Sequence, residues 1–190
     1  LVGTAAGEEI DRVVILPLFL LPGVHVMEDI PREVELAHQI LGDRVELTIA
    51  PYLGSYPDLD RVLLPSRQCL PDRSILLSHG SRRTGGNAIV ERLADRLAMT
   101  CAYWSVAPNL TDQVSDLARS GVEEIGILPY FLFPGATTDA IANLVTDLSK
   151  QFPTLQLTLA EPIGGNAVWV GTITEMLLSA ARANGGKGEI

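Results

Sequence analysis

The chain has 190 residues, enough for one large domain or two small ones, and is 47% hydrophobic against 19% charged, so a sizeable core can be buried. Its formal net charge of −9 and pI of about 4.7 argue against nucleic acid as a partner, which needs a basic face. A small anionic substrate stays open, because a few local arginines can hold one.

The first strong signal is the apolar run "ILPLFLLPG" at 15–23, a strand and turn closed by Gly23. A helix follows, with Pro31 in its first turn and Ile30, Val34, Ala37 and Leu41 on one side. "VELTIA" at 45–50 is the next strand, and "DLDRVLL" reads as a short closing helix. Pro57, Pro65 and Pro71 then mark a boundary stretch. Beyond it "SILLS" at 74–78 is a buried strand that runs into "HGSRRTGG". A helix carrying Ile89, Leu93 and Leu97 leads to the strand "TCAYWSVA" at 100–107. Asn109 or Thr111 caps a helix bearing Val114, Leu117 and Ala118, which stops at Gly121. The strand "ILPYFLFPG" at 127–135, a helix with Ile141, Leu144, Val145, Leu148 and Phe152, and the strand "LQLTLA" at 155–160 complete the series. Short apolar strands alternating with amphipathic helices predict an α/β fold with a mostly parallel sheet covered on both faces.

Residues 15–23 and 127–135 differ at two positions only, Leu18/Tyr130 and Leu21/Phe133. Each is followed by a helix, a strand and a Gly-containing turn in the same order. The chain therefore reads as two copies of one α/β unit. The second copy is whole, while the first lacks the βα elements that carry His79 in the second. The predicted organisation is the back half of a first unit at 1–64, a linker at 65–73, a complete second unit at 74–183 and a flexible tail at 184–190. The start at Leu1 rather than Met reads as a processed or trimmed product. Cys69 and Cys101 stand in no metal-ligand spacing and imply no disulfide framework, which fits a reducing, cytoplasmic setting. The longest apolar runs contain Pro and Gly and are too short to span a bilayer, so no membrane partner is expected.

Ligands of parallel α/β sheets bind beyond the carboxyl ends of the strands. His25 and His79 both follow apolar strands there, and a neutral imidazole can take a proton or hold Fe, Co, Ni or Zn. An ordinary turn histidine is the bland alternative for each. In "HGSRR", Gly80 permits a tight turn, Ser81 can cap the next helix, and Arg82 and Arg83 can clamp carboxylates. Glu28 and Asp29 read more simply as charges at a helix N-terminus than as helpers of His25. His38 lies inside a helix among polar residues and reads as solvated. No nucleotide-binding P-loop, dinucleotide fingerprint or nucleophile elbow is present.

Taken together, "ILLSHGSRR", "LPLFLLPGVHVMEDIP" and the duplicated unit resemble the sirohydrochlorin chelatase family of the CbiX/SirB type. The resemblance implies two flavodoxin-like halves facing each other across a cleft, here with the first half incomplete. It implies ATP-independent insertion of a divalent metal into sirohydrochlorin, cobalt leading toward cobalamin and ferrous iron giving sirohaem. His25 matches the "GVH" histidine of the family. His79 matches the corresponding position of the second repeat, and Thr137 replaces the histidine of the second "GVH". The implied roles are proton removal and metal handling for His25 and His79, and substrate binding for Gly23, Gly80, Ser81, Arg82 and Arg83. No tightly bound cofactor is implied, because the metal (Co, Fe or Ni) is a substrate. The implied partners are a sirohydrochlorin-type tetrapyrrole and the divalent metal ion; separately, the missing front end of the first unit could expose a sheet edge that pairs with a second copy of the chain, which leaves a homo-oligomer open. Two readings from other classes compete: a non-catalytic tetrapyrrole or metal-binding module, and a flavodoxin-like scaffold for protein contacts.

Overall fold

A computed structural model of the chain describes residues 10–56, 59–165 and 167–185. It divides into two compact units, Leu1–Tyr56 with Thr172–Ile190, and Pro57–Gly171. All of its strand pairs are parallel.

In the first unit, strand β1 (Arg12–Ile15) is followed by a π-helical turn (His25–Asp29) that runs straight into helix α1 (Ile30–Leu41). Strand β2 (Glu46–Ile49) then pairs with β1, Val13 opposite Leu47 and Ile15 opposite Ile49. Helix α6 (Ala167–Gly185) begins in the second unit, and its residues from Thr172 onward belong to the first.

The second unit opens with helix α2 (Leu59–Gln68) and holds a four-stranded sheet. Its strands are β3 (Ser74–Ser78), β4 (Thr100–Tyr103), β5 (Glu124–Pro129) and β6 (Gln156–Leu159), in the order β4-β3-β5-β6. Helices α3 (Ala88–Arg96), α4 (Leu110–Arg119) and α5 (Ala136–Gln151) make the crossovers. Every residue of β3 is buried, as a central strand covered on both faces requires. Ile75 and Leu77 meet Ala102, Leu110, Val114, Ile125, Ile127, Ile141, Val145 and Leu148 in one apolar cluster. Each side chain removed from water there contributes about 1.5–3 kcal/mol.

Several local expectations need correction. The buried stripe of α3 is Val90, Leu93, Ala94 and Leu97, with Ile89 at its margin. Asn109, not Thr111, caps α4, its Oδ1 accepting from Asp112 N–H at 2.9 Å. Ser81 does not cap α3, which begins after Asn87. Pro65 lies inside α2 rather than in a linker, so the helix runs through 65–68. The compact division falls between Tyr56 and Pro57, because α2 buries Leu59, Val62 and Leu63 in the second unit. Of the expected tail, 184–185 close α6 and 186–190 lie outside the described residues.

The strand ends of the two units share backbone details. Glu46 N–H donates to Asp11 O and Ala50 N–H to Ile15 O, at 2.7 and 2.8 Å. Gln156 to Glu123 and Ala160 to Ile127 repeat the pattern at 2.8 and 2.9 Å. A side chain on Gly54 would run into the Leu20 carbonyl, and one on Gly164 would run into the Leu132 carbonyl. The turns after β2 and β6 therefore lie directly against the apolar segments that follow β1 and β5.

Candidate functional site

The carboxyl edge of the first unit is built by the 16–23 segment. Its carbonyls are tied to the turn after β2, Leu53 N–H donating to Pro17 O at 3.0 Å and Gly54 N–H to Phe19 O at 2.9 Å. At Gly23 the chain turns, and its carbonyl accepts from Val26 and Met27 to start the helical turn. Val26 is buried and anchors that turn. His25 points the other way, with 74% of its side chain exposed. Its Nδ1 lies 2.7 Å from Asp29 Oδ2. A carboxylate only accepts, so Nδ1 carries the proton and Nε2 of the neutral ring presents its lone pair. Arg32 lies 3.5 Å from the other Asp29 oxygen, and the Phe19 ring centroid is 6.1 Å from that of His25. Gly23 stands in open space, where a side chain would meet nothing.

The carboxyl edge of the second unit carries His79. Its Nδ1 lies 3.2 Å from Gly80 O and 3.4 Å from Ser105 Oγ, and Ser105 Oγ–H donates to His79 O at 2.9 Å. With the proton on Nδ1, this ring too leaves Nε2 open. Gly80 has φ +82° and presses on Tyr103 and Val106, so a side chain there is opposed twice. The loop beyond is closed by a reciprocal pair of bonds. Ser81 N–H donates to Asn87 Oδ1 at 2.8 Å, and Asn87 Nδ2 to Ser81 O at 3.2 Å. Ser81 Oγ accepts from Arg83 N–H at 3.2 Å. Arg82 and Arg83 are exposed on this loop. Beneath it, burial pushes the Cys101 thiol up from 9.0, with Glu91 and Asp95 adding to the rise against an opposing bond from Tyr103. Burial also pushes the Tyr103 phenol up from 10.0, with Cys101 and Glu91 adding to it.

The structure thus gathers His25, Asp29 and Phe19 on one edge, and His79, Ser81, Arg82, Arg83 and Ser105 on another. Asp29 reads from sequence as a helix-end charge, although its i,i+4 spacing from His25 on one helical turn is a signal for pairing. Phe19 and Ser105 carry no motif that singles them out. His38, expected to be solvated, is partly buried on α1. Among the described residues no group of three or more His, Cys, Asp or Glu could hold a metal ion, and no helix is long and apolar enough to cross a membrane.

A groove of about 960 Å³ opens beside His25 and Asp29, but its floor is Val13, Ile15 and Leu47 of the sheet and its wall is Val34 and Ala37 of α1. The matching face of the second unit is the closed core, in which Ile125, Ile127, Ile141 and Leu148 are 0–2% exposed beneath β3 and α4. Among the described residues the groove is therefore an open core face of the first unit. Among the described residues that line it, polar groups stand only at its rim, unlike the convergent set of a substrate pocket.

The profile of the CbiX family matches residues 1–66 and 73–180. The chain belongs to the CbiX family. It is 26% identical over 116 residues to the chloroplastic sirohydrochlorin ferrochelatase of Arabidopsis thaliana, covering 56% of this chain and 51% of that protein. The chain thus spans about half the length of this relative. SirB from Bacillus subtilis with Fe3+ superposes with a TM-score of 0.72 at 21% identity, over 93% of this chain and 75% of that one. The sirohydrochlorin chelatase SirB of Bacillus subtilis subspecies spizizenii in complex with cobalt gives 0.69 at 20%, over 95% and 73%. At such identities the two structures establish a shared chelatase fold.

Proposed function

We propose that this protein inserts a divalent metal, ferrous iron or cobalt, into sirohydrochlorin without ATP. The observation that carries the reading is the His25–Asp29 pair. It holds an exposed imidazole in one tautomer at the carboxyl edge of a parallel sheet, within the "GVH…DIP" motif of a CbiX-family chain.

The free-base macrocycle loses two inner N–H protons as the metal enters. His25 Nε2 accepts one of them, the other passes to water, and Asp29 holds the imidazolium that forms. The same lone pair can steady the metal before transfer, an alternative use at a different moment. His79, with Nε2 open and Nδ1 bonded locally, is the matching imidazole of the second unit. In the second unit Arg82, Arg83 and Ser81 have the chemistry to hold the acidic side chains of such a macrocycle. The names of the relatives mention both iron and cobalt, so either metal is consistent with family membership, and so is either the sirohaem or the cobalamin pathway. A reducing, cytoplasmic compartment suits the two free thiols.

Anaerobic insertion assays with each metal, followed by the absorbance of the metallated product, test the reading. Insertion that is lost in His25→Ala while sirohydrochlorin binding persists supports it. Binding without turnover in the unaltered full-length protein would favour the tetrapyrrole-binding module instead.

A further inference from the structure

Trp104 stands next to His79 in the ladder of the second unit. Ser78 is the register partner of Tyr103, and the backbone bonds continue one step past the strand ends. Trp104 N–H donates to Ser78 O and Ser105 N–H to His79 O, both at 2.9 Å. Trp104 is therefore held by backbone bonds beside His79, just past the ends of β3 and β4.

The segment holding Trp104 is tied down. Tyr103 N–H donates to Pro108 O at 2.8 Å, and Ser105 Oγ–H clamps His79 O. Gly80 lies against Tyr103 and Val106. A ring carried on such a segment gives up little freedom when a ligand covers it. Trp104 keeps 37% of its surface exposed, while the other tryptophan, Trp169, keeps 1%. One exposed tryptophan is ordinary by itself. This one shares its edge with an open imidazole and two exposed arginines. The first unit repeats the combination, since Phe19 is 38% exposed and its ring neighbours that of His25.

We infer that Trp104 is a stacking surface for the flat face of the tetrapyrrole on the edge that carries His79. The inference rests on the chelatase reading above and assigns a binding residue to it. A conjugated macrocycle with a carboxylate rim fits this arrangement. Its π-face lies against the indole, its rim reaches Arg82 and Arg83, and its inner nitrogens come within the neighbourhood of His79. A flexible apolar peptide would gain the indole contact but would have no use for the arginines.

The test is anaerobic titration of the full-length protein with metal-free sirohydrochlorin, following ligand absorbance and tryptophan emission together. Binding should quench the emission of the unaltered protein, because its exposed indole is covered. Trp104→Phe should bind within about threefold of the unaltered protein, since a ring remains, but should lose most of the quenching. Trp104→Ala should raise Kd roughly tenfold, the size expected for removing one aromatic stacking partner. A Kd within about twofold in Trp104→Ala, with the absorbance shift intact, overturns the inference and leaves the chelatase reading standing. So does quenching that survives in Trp104→Phe, because it would then come from Trp169. If the unaltered protein shows no absorbance shift, the chelatase reading falls and this inference falls with it.

Discussion

The His25–Asp29 pair permits a prediction whose size follows from exposure. The two atoms are 2.7 Å apart, but 74% of the His25 side chain and 34% of the Asp29 side chain face solvent. An exposed pair of this kind is worth about 0.2–1 kcal/mol. Asp29→Ala should therefore lower kcat for metal insertion by no more than about fivefold, through looser orientation of the ring. Asp29→Asn retains an oxygen that accepts from Nδ1–H, so its loss should stay within about twofold. His25→Ala removes the reacting group itself and should cost roughly 10²–10⁴ in kcat with little change in sirohydrochlorin affinity. The assay is steady-state anaerobic insertion, paired with equilibrium titration of the metal-free macrocycle. If Asp29→Ala fell as far as His25→Ala, the carboxylate would be a reacting or metal-holding group, and the argument from exposure would be wrong. If His25→Ala turned over within about twofold of the unaltered protein, the imidazole would have no catalytic role.

Other perturbations test the scaffold beneath the site. Gly80→Ala places a side chain at φ +82° and within 2.8 Å of Tyr103 and Val106 carbons, which should cost about 3 kcal/mol and lower Tm by roughly 6–12 °C in calorimetry. Arg67 donates to the carbonyls of Leu97, Leu70, Pro71 and Asp72, joining α2, the loop after it and the end of α3. Arg67→Ala should destabilise by about 2–3 kcal/mol in denaturant titration, and Arg67→Lys should recover less than half, because a point charge cannot reach the same fork of acceptors. Cys101 and Tyr103 both ionise less readily in the folded state, so the folded chain binds more protons than the unfolded chain once pH passes their ordinary values of 9.0 and 10.0. Stability should consequently fall as pH rises through that range, and Tyr103→Phe should flatten the fall; an unchanged slope would count against the burial argument. At pH 8 iodoacetamide should label the exposed Cys69 well before Cys101, as intact-mass measurement would show.

The alternation of strands and helices was legible because the two central strands of the second unit, β3 and β5, are short apolar runs that end at Ser78 and Pro129. The periodicity of α5 named Ile141, Val145 and Leu148, and these are its buried residues. Pro65 misled because a proline reads as a boundary, yet its ring is accommodated within α2. Helix α2 also packs with the unit on its C-terminal side rather than with the one before it, and such a choice of packing partner leaves no mark in local periodicity. At the edges, His25 and His79 were visible as imidazoles after strands. Their immediate partners were less visible, since Asp29 has an ordinary helix-end explanation and Ser105 reaches His79 only through a strand pairing 26 residues away.

The π-helical turn explains how the first unit can carry the exposed His25–Asp29 pair without disturbing its packing. Ile127 follows Ile15 by 112 positions and Gly135 follows Gly23 by the same interval. Past that glycine the interval drops by one: Ile30, Val34, Ala37 and Leu41 of the first helix stand 111 positions before Ile141, Val145, Leu148 and Phe152 of the second. The first helix thus holds one residue more than the second between the glycine and the start of its apolar stripe. That residue falls within His25–Asp29, where the backbone N–H of Ile30 donates to His25 O, five residues back. A π-turn absorbs a single insertion by widening one loop of helix, and such turns collect at functional sites. Here the widened turn keeps the apolar stripe of α1 on the sheet side, while His25 and Asp29 sit outside the core. The second helix, starting directly at Ala136 after Gly135, has Thr137 where His25 stands, and Thr138 there bonds back to Gly135 to close an ordinary helix start. One unit therefore spends its first helical turn on presenting a side chain, and the other uses the same turn to begin a helix.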